Sequence, residues 1–143
     1  DLGHAVFLIV VGLHRARDLR VDENYYPAFD EEVKVSTGEQ FCNILRDGPD
    51  FGIHTLIWCD TYASFTRTIP RQYTGEFDLR VALQMTTDDS MGFIDSPIAN
   101  KLGPIRALFL DEEQVGRLEK FRPYRMISEQ MVEEVGQELN QRI

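Results

Sequence analysis

Asp60 closes the apolar run Ile53-His54-Thr55-Leu56-Ile57-Trp58-Cys59, and its position matters more than its charge. A carboxylate fixed at the end of a buried strand faces the adjoining crevice, where it can position water or a metal-bound group. With Thr61 it fits equally well as the cap of the turn that follows. Asp88, Asp89 and Ser90 form a second polar cluster, able to hold a cation or polarise a partner, yet of the composition that turns and helix caps also use. Taken together, Asp60, Asp88 and Asp89 would offer oxygen ligands to magnesium. Arg67, Arg71 and Arg80 carry the forked guanidinium that suits phosphate and could be supplied to a neighbouring subunit. Arg15, Arg17 and Arg20 either clamp phosphate or form a solvated basic face balanced by Asp18. No resident metal centre is expected. Cys42 and Cys59 lack knuckle spacing, His4 and His14 lie far apart in sequence, and no His-x-x-x-His occurs. His54, inside an apolar strand, reads as a core histidine, and the thiols read as buried and free in a reducing cytosol.

Positioning these groups requires strands with polar exits. Ala5 to Val11 is continuously apolar and β-branched, the pattern of a central parallel strand covered on both faces, and Gly12 lets it turn. Leu13 to Arg20 reads as basic and helical, and residues 21–35, acidic and broken by Pro27, as an exposed loop. Ser36-Thr37-Gly38-Glu39 matches a capping box opening a helix that shows Phe41, Ile44 and Leu45 on one face and leaves by a left-handed exit at Gly48-Pro49. Ile53 to Cys59 is the second strand, and Arg67 to Gly75, with Pro70, suits a short helix. Phe77 to Met85 reads as a third strand with Thr86 to Ser90 at its carboxyl end. Asp95-Ser96-Pro97 opens a helix stopped by Gly103-Pro104. Ile105 to Leu110 and Val115 to Phe121 form a hairpin across Asp111 to Gln114, and Met131, Val132, Val135, Leu139 and Ile143 mark a closing amphipathic helix.

The expectation is one α/β domain over residues 1–143, with a mainly parallel sheet flanked by helices. Ligands of such sheets gather beyond the carboxyl ends of the strands, which makes Gly12 to Arg15, Asp60-Thr61 and Thr86 to Ser90 one rim.

Composition narrows the partners. With 15 basic against 24 acidic residues and a net charge of -9, the chain by itself repels a polyanion, so DNA contact would need a local arginine patch or further protein. No apolar run reaches the roughly 20 residues of a membrane helix, so no membrane partner is expected. The absence of a start methionine suggests a cut end at Asp1 with more protein upstream, and nothing at the start has signal-peptide character, so a cytoplasmic location is expected. No Gly-x-x-x-x-Gly-Lys-Ser/Thr loop is present, and the first strand ends in Val11-Gly12-Leu13 and not in an acidic pair. Standing alone, the chain should not hydrolyse ATP.

The order of these segments resembles the later part of an FtsK/SpoIIIE/HerA-type motor domain, a RecA-like P-loop ATPase that pumps DNA. Phe7 to Leu13 matches the strand of the second acid, and Leu45-Arg46-Asp47-Gly48 with Gly52-Ile53-His54 leads into the sensor strand. Arg80 to Gln84 matches the next strand, followed by Asp89-Ser90, with Leu102-Gly103 before the final strands. The match covers residues 5 to 125 in order. It implies a RecA-like fold lacking its P-loop, ATP and Mg2+ in the longer protein but not in this fragment, and a ring-forming homo-oligomer. Asp60 falls near the position where relatives touch the γ-phosphate region, and Asp89-Ser90 near the subunit boundary. On this likeness Asp60 and Arg80 are the candidate catalytic residues, and Asp60, Thr61, Asp89 and Ser90 the candidate nucleotide contacts, with no protein-held metal. The alternative is a non-catalytic assembly module that keeps the fold without the acids.

Overall fold

A computed structural model of the chain describes residues 5–21, 35–114, 117–125 and 128–141. The stretch 21–35 expected as an acidic loop lies outside these residues apart from its two ends, as do His4, Val115 and Ile143. The elements are β1 (Val6–Val11), α1 (Thr37–Asp47), β2 (Ile53–Trp58), α2 (Tyr62–Thr68), β3 (Leu79–Ala82), α3 (Thr87–Ile94), β4 (Ala107–Asp111), β5 (Arg117–Phe121) and α4 (Glu129–Asn140), joined by short 3-10 turns.

Local chemistry places the helix starts. Ser36 caps α1 as a full capping box: its hydroxyl accepts from the Glu39 amide at 3.2 Å while the Glu39 carboxylate accepts from the Ser36 amide at 2.8 Å. Thr61, Thr86 and Ser128 cap α2, α3 and α4 with their hydroxyls, each accepting an amide three residues on. The exit of α1 differs from expectation. Gly48 stays right-handed at φ -55, because Pro49 opens a further 3-10 turn over Gly48–Phe51, and the left-handed residue is Gly52 at φ 73. The helix expected after Asp95-Ser96-Pro97 is a single 3-10 turn, Pro97–Lys101, capped by Ser96.

The described residues are mixed α/β with two small sheets. β1 and β2 are parallel and in register from Val6 opposite Ile53 to Val11 opposite Trp58. β3, β4 and β5 form an antiparallel sheet in that order, with β4 and β5 as the expected hairpin. This corrects the expectation of three strands running the same way, since Leu79 stands opposite Asp111 and Ala82 opposite Leu108 in an antiparallel pair. The reason lies in alternation: Arg80 and Ala82 point inward while Leu79 and Val81 are exposed, as in a strand covered on one face. β1 is also covered on one face only. Leu8 and Val10 face inward, while Phe7, Ile9 and Val11 are exposed beside the equally exposed His54, Leu56 and Trp58. His54 is therefore a surface residue, its ring 5.5 Å from that of Phe7.

Among the described residues, two cores join the elements from β1 to β5. Leu13, Phe41, Leu45, Phe65 and Ile69 pack with the inner face of β1 and β2, joining α1 and α2 to the parallel pair. Ala82, Ile94, Ala99, Leu102 and Leu108 join α3 to the antiparallel sheet. The first core fixes the strand exits, because Leu13, only two residues beyond β1, is fully buried in it.

Candidate functional site

Parallel register brings the ends of β1 and β2 side by side. The Gly12 amide donates to the Trp58 carbonyl at 3.0 Å, which extends the pairing one residue past the strands. Gly12 then adopts φ 79, ψ 56, a left-handed geometry that glycine accepts without a Cβ penalty. That bend drives Leu13 into the core and returns His14 over the strand ends, where its ring meets Trp58 edge-on at 6.1 Å between centroids.

His14 Nδ1 lies 3.3 Å from Asp60 Oδ1, and Cys59 Sγ lies 3.6 Å from the same oxygen. Asp60 Oδ1 also accepts from the Thr61 amide at 2.8 Å. Although close, His14 and Asp60 are not aligned for a hydrogen bond, and Nδ1 is buried with no hydrogen-bond partner among the described residues. For Asp60, burial works to raise the carboxyl, but hydrogen bonds from Ser64, the Thr61 amide and Cys59 work against it, and the group is held below its ordinary value. Burial pushes the Cys59 thiol up, opposed by backbone hydrogen bonding at Thr61 and reinforced by the neighbouring Asp60. Thr61 itself is engaged as the cap of α2, its hydroxyl 2.8 Å from that of Ser64.

The other candidates lie elsewhere. Asp88 and Asp89 occupy the first turn of α3 and line an open cleft of about 510 Å³ together with Tyr62 and Thr66 of α2 and Arg71. Both carboxylates suit the positive end of their helix. Asp60 is not among the residues lining that cleft. Ser90, next in sequence to Asp89, turns the other way: it is fully buried, its hydroxyl donating to the Ser96 carbonyl and accepting from the Ala99 amide at 3.2 Å. Arg80 is 7% exposed and bound on every side, donating to the carbonyls of Phe77, Phe93 and Thr74 at 2.9, 3.0 and 3.2 Å and pairing with Glu112. Its guanidinium ties β3 to α3 and to the loop after β4.

Among the described residues, the one set of three or more His, Cys, Asp or Glu ligand atoms within 4.8 Å of one another is His14, Cys59 and Asp60. Asp60, Asp88 and Asp89 make no such set. Sequence spacing gave no hint of the grouping, as 45 positions separate His14 from Cys59. The available signal was the pairing of two apolar strands, whose matched ends bring both exits to one edge. Among the described residues no helix is long and apolar enough to cross a membrane. Comparison of the chain with protein-family models, with curated proteins and with solved structures finds no match.

Proposed function

We propose that the chain is the C-terminal part of a nucleotide-binding motor domain of FtsK/HerA type, working in the cytoplasm with an upstream P-loop segment and as a ring of like subunits. The observation that carries this reading is the parallel, in-register pairing of β1 and β2, which aligns Gly12 to Arg15 with Asp60 and Thr61 along one carboxyl-terminal edge. A two-stranded parallel sheet with one bare apolar face also fits a larger sheet better than an isolated one, because parallel sheets are normally covered on both sides.

The described residues do not by themselves fit ATP and Mg2+. The end of β1 carries a buried glycine and a core leucine where a metal-holding acid would stand, and the Thr61 hydroxyl is occupied in capping α2. No catalytic step is therefore assigned to this chain alone. On this reading Asp60 is a contact for a nucleotide held by the upstream segment, Asp89 belongs to a surface between subunits, and Arg80 and Ser90 support the fold behind it. DNA would be met through other parts of the assembly, given the charge of -9 here.

The absence of an acid at the end of β1 favours a second reading, a non-hydrolysing assembly module that retains the fold. The gene upstream of Asp1 and nucleotide assays on the longer protein separate the two. A P-loop upstream, with turnover reduced by Asp60→Asn, supports the motor. ATP binding without turnover by the longer protein supports the module, an upstream sequence with no P-loop overturns the motor, and ATPase activity abolished by changing Asp60 counts against the module.

A further inference from the structure

The cluster at the strand exits has a chemistry of its own, resting on residues 12–15 and 58–61 and not on the nucleotide reading. An imidazole nitrogen, a thiol sulfur and a carboxylate oxygen converge there from the two strand ends. We propose that His14, Cys59 and Asp60 form a binding site for a zinc-class divalent cation, with a fourth coordination position open to solvent.

Three features of the geometry support it. Tetrahedral ligands at the usual zinc bond lengths of about 2.0–2.3 Å stand about 3.3–3.6 Å apart. Two of the three separations fall in this range, 3.3 Å from His14 Nδ1 to Asp60 Oδ1 and 3.6 Å from Cys59 Sγ to the same oxygen, and all three ligand atoms lie within 4.8 Å of one another. The nitrogen facing the site is a buried atom with no hydrogen-bond partner among the described residues, which is costly for a polar group and suited to a lone pair awaiting a metal. The supports are rigid as well. Leu13 anchors one exit in the core, and the Thr61 amide holds the Asp60 oxygen at 2.8 Å.

The mixed nitrogen, sulfur and oxygen set selects the metal. Thiolate and imidazole favour zinc over the hard cations magnesium and calcium, which prefer all-oxygen shells. Three protein ligands with an open position is the arrangement of zinc sites that bind water or substrate, whereas structural sites close with a fourth protein ligand. The Asp60 side chain is 44% exposed, so solvent reaches the site directly. On binding, the Cys59 sulfur–hydrogen bond is replaced by a sulfur–metal bond and the proton leaves to solvent.

The test uses the 143-residue chain, titrated with zinc against a chromophoric chelator and with cobalt(II) as the spectroscopic probe. The expected result is one equivalent bound, with visible bands of tetrahedral cobalt and a near-ultraviolet thiolate-to-cobalt band. Only two cysteines are present, so the assignment is sharp: Cys59→Ser should abolish the thiolate band and Cys42→Ser should retain it. His14→Gln should weaken zinc binding by at least about tenfold, since even a lost supporting partner costs that much. Alkylation of the unaltered chain, read by mass spectrometry, gives an answer that needs no variant: zinc should slow modification of Cys59. Absence of zinc binding, a thiolate band that survives Cys59→Ser, undiminished affinity in His14→Gln, or no protection of Cys59 would each overturn the proposal.

Discussion

Replacing Gly12 by alanine probes the turn that carries β1 into the site. Gly12 sits at φ 79, ψ 56, where a residue with a Cβ is disfavoured by about 1–2 kcal/mol. No clash adds to this. A Cβ there would lie 3.6 Å from His14 Cε1, 3.8 Å from Arg15 Cδ and 3.9 Å from Trp58 Cζ3, all ordinary contacts. The stiffer unfolded chain of the variant returns about 0.4–1 kcal/mol, so the net loss should be about 1 kcal/mol. For a chain of this length that corresponds to a fall in Tm of about 3–5 °C, measured by circular dichroism with urea melts alongside. Gly52 provides the control at the start of β2, with φ 73 and nothing within 4 Å of an added Cβ. Gly52→Ala should cost about the same. The length of a six-residue strand, about 20 Å, separates the two glycines, so the double variant should be additive. Only Gly12→Ala should weaken zinc binding, because only that turn sets the distance from His14 to Asp60. A neutral or stabilising Gly12→Ala would refute the left-handed turn, and equal effects of both variants on the metal would refute its role in placing His14.

Further expectations concern packing. Gly38→Ala should destabilise the protein despite alanine's advantage of about 1 kcal/mol within a helix, because a Cβ would lie 2.5 Å from the Arg20 carbonyl oxygen and 2.8 Å from the Val21 nitrogen. Gly136→Ala in α4, with nothing within 4 Å, should have the opposite sign; urea midpoints read both. Arg80→Met strands three carbonyls and Glu112 and should cost about 3 kcal/mol, and Arg80→Lys should recover little, since one ammonium cannot span the same partners. A loss below about 1 kcal/mol in a urea melt would dismiss that network. Ser36→Ala removes half of the capping box and should cost about 1 kcal/mol, with slower loss of protection in Ser36→Asn than in Ser36→Ala by hydrogen exchange at the first turn of α1.

What could be read from the sequence was local. The capping box of Ser36 and Glu39, the run from Ile53 to Trp58, the hairpin of β4 and β5 and the amphipathic helix after Ser128 are each specified by neighbouring residues. What could not be read depends on partners distant in sequence. Leu79 and Val81 are as apolar as core residues but point outward, so the direction and sheet of β3 were hidden in a pattern that suits either arrangement. Asp89 and Ser90 are adjacent polar residues on one helix, yet one lines a cleft and the other closes a buried hydrogen-bond network. Arg80 has the chemistry of a phosphate ligand, and only its burial reveals four internal partners. His14 and Cys59 were each set aside singly; the register of the parallel pair is what makes them neighbours.

Both the proposed nucleotide edge and the proposed metal site depend on β1 and β2 running the same way and ending together. Nuclear Overhauser contacts in an isotope-labelled sample measure this directly. Parallel, in-register strands should give cross-strand contacts joining Phe7 to His54, Ile9 to Leu56 and Val11 to Trp58, together with contacts between the rings of His14 and Trp58. Contacts joining Val6 to Trp58 and Val11 to Ile53, the signature of an antiparallel pair, would contradict it.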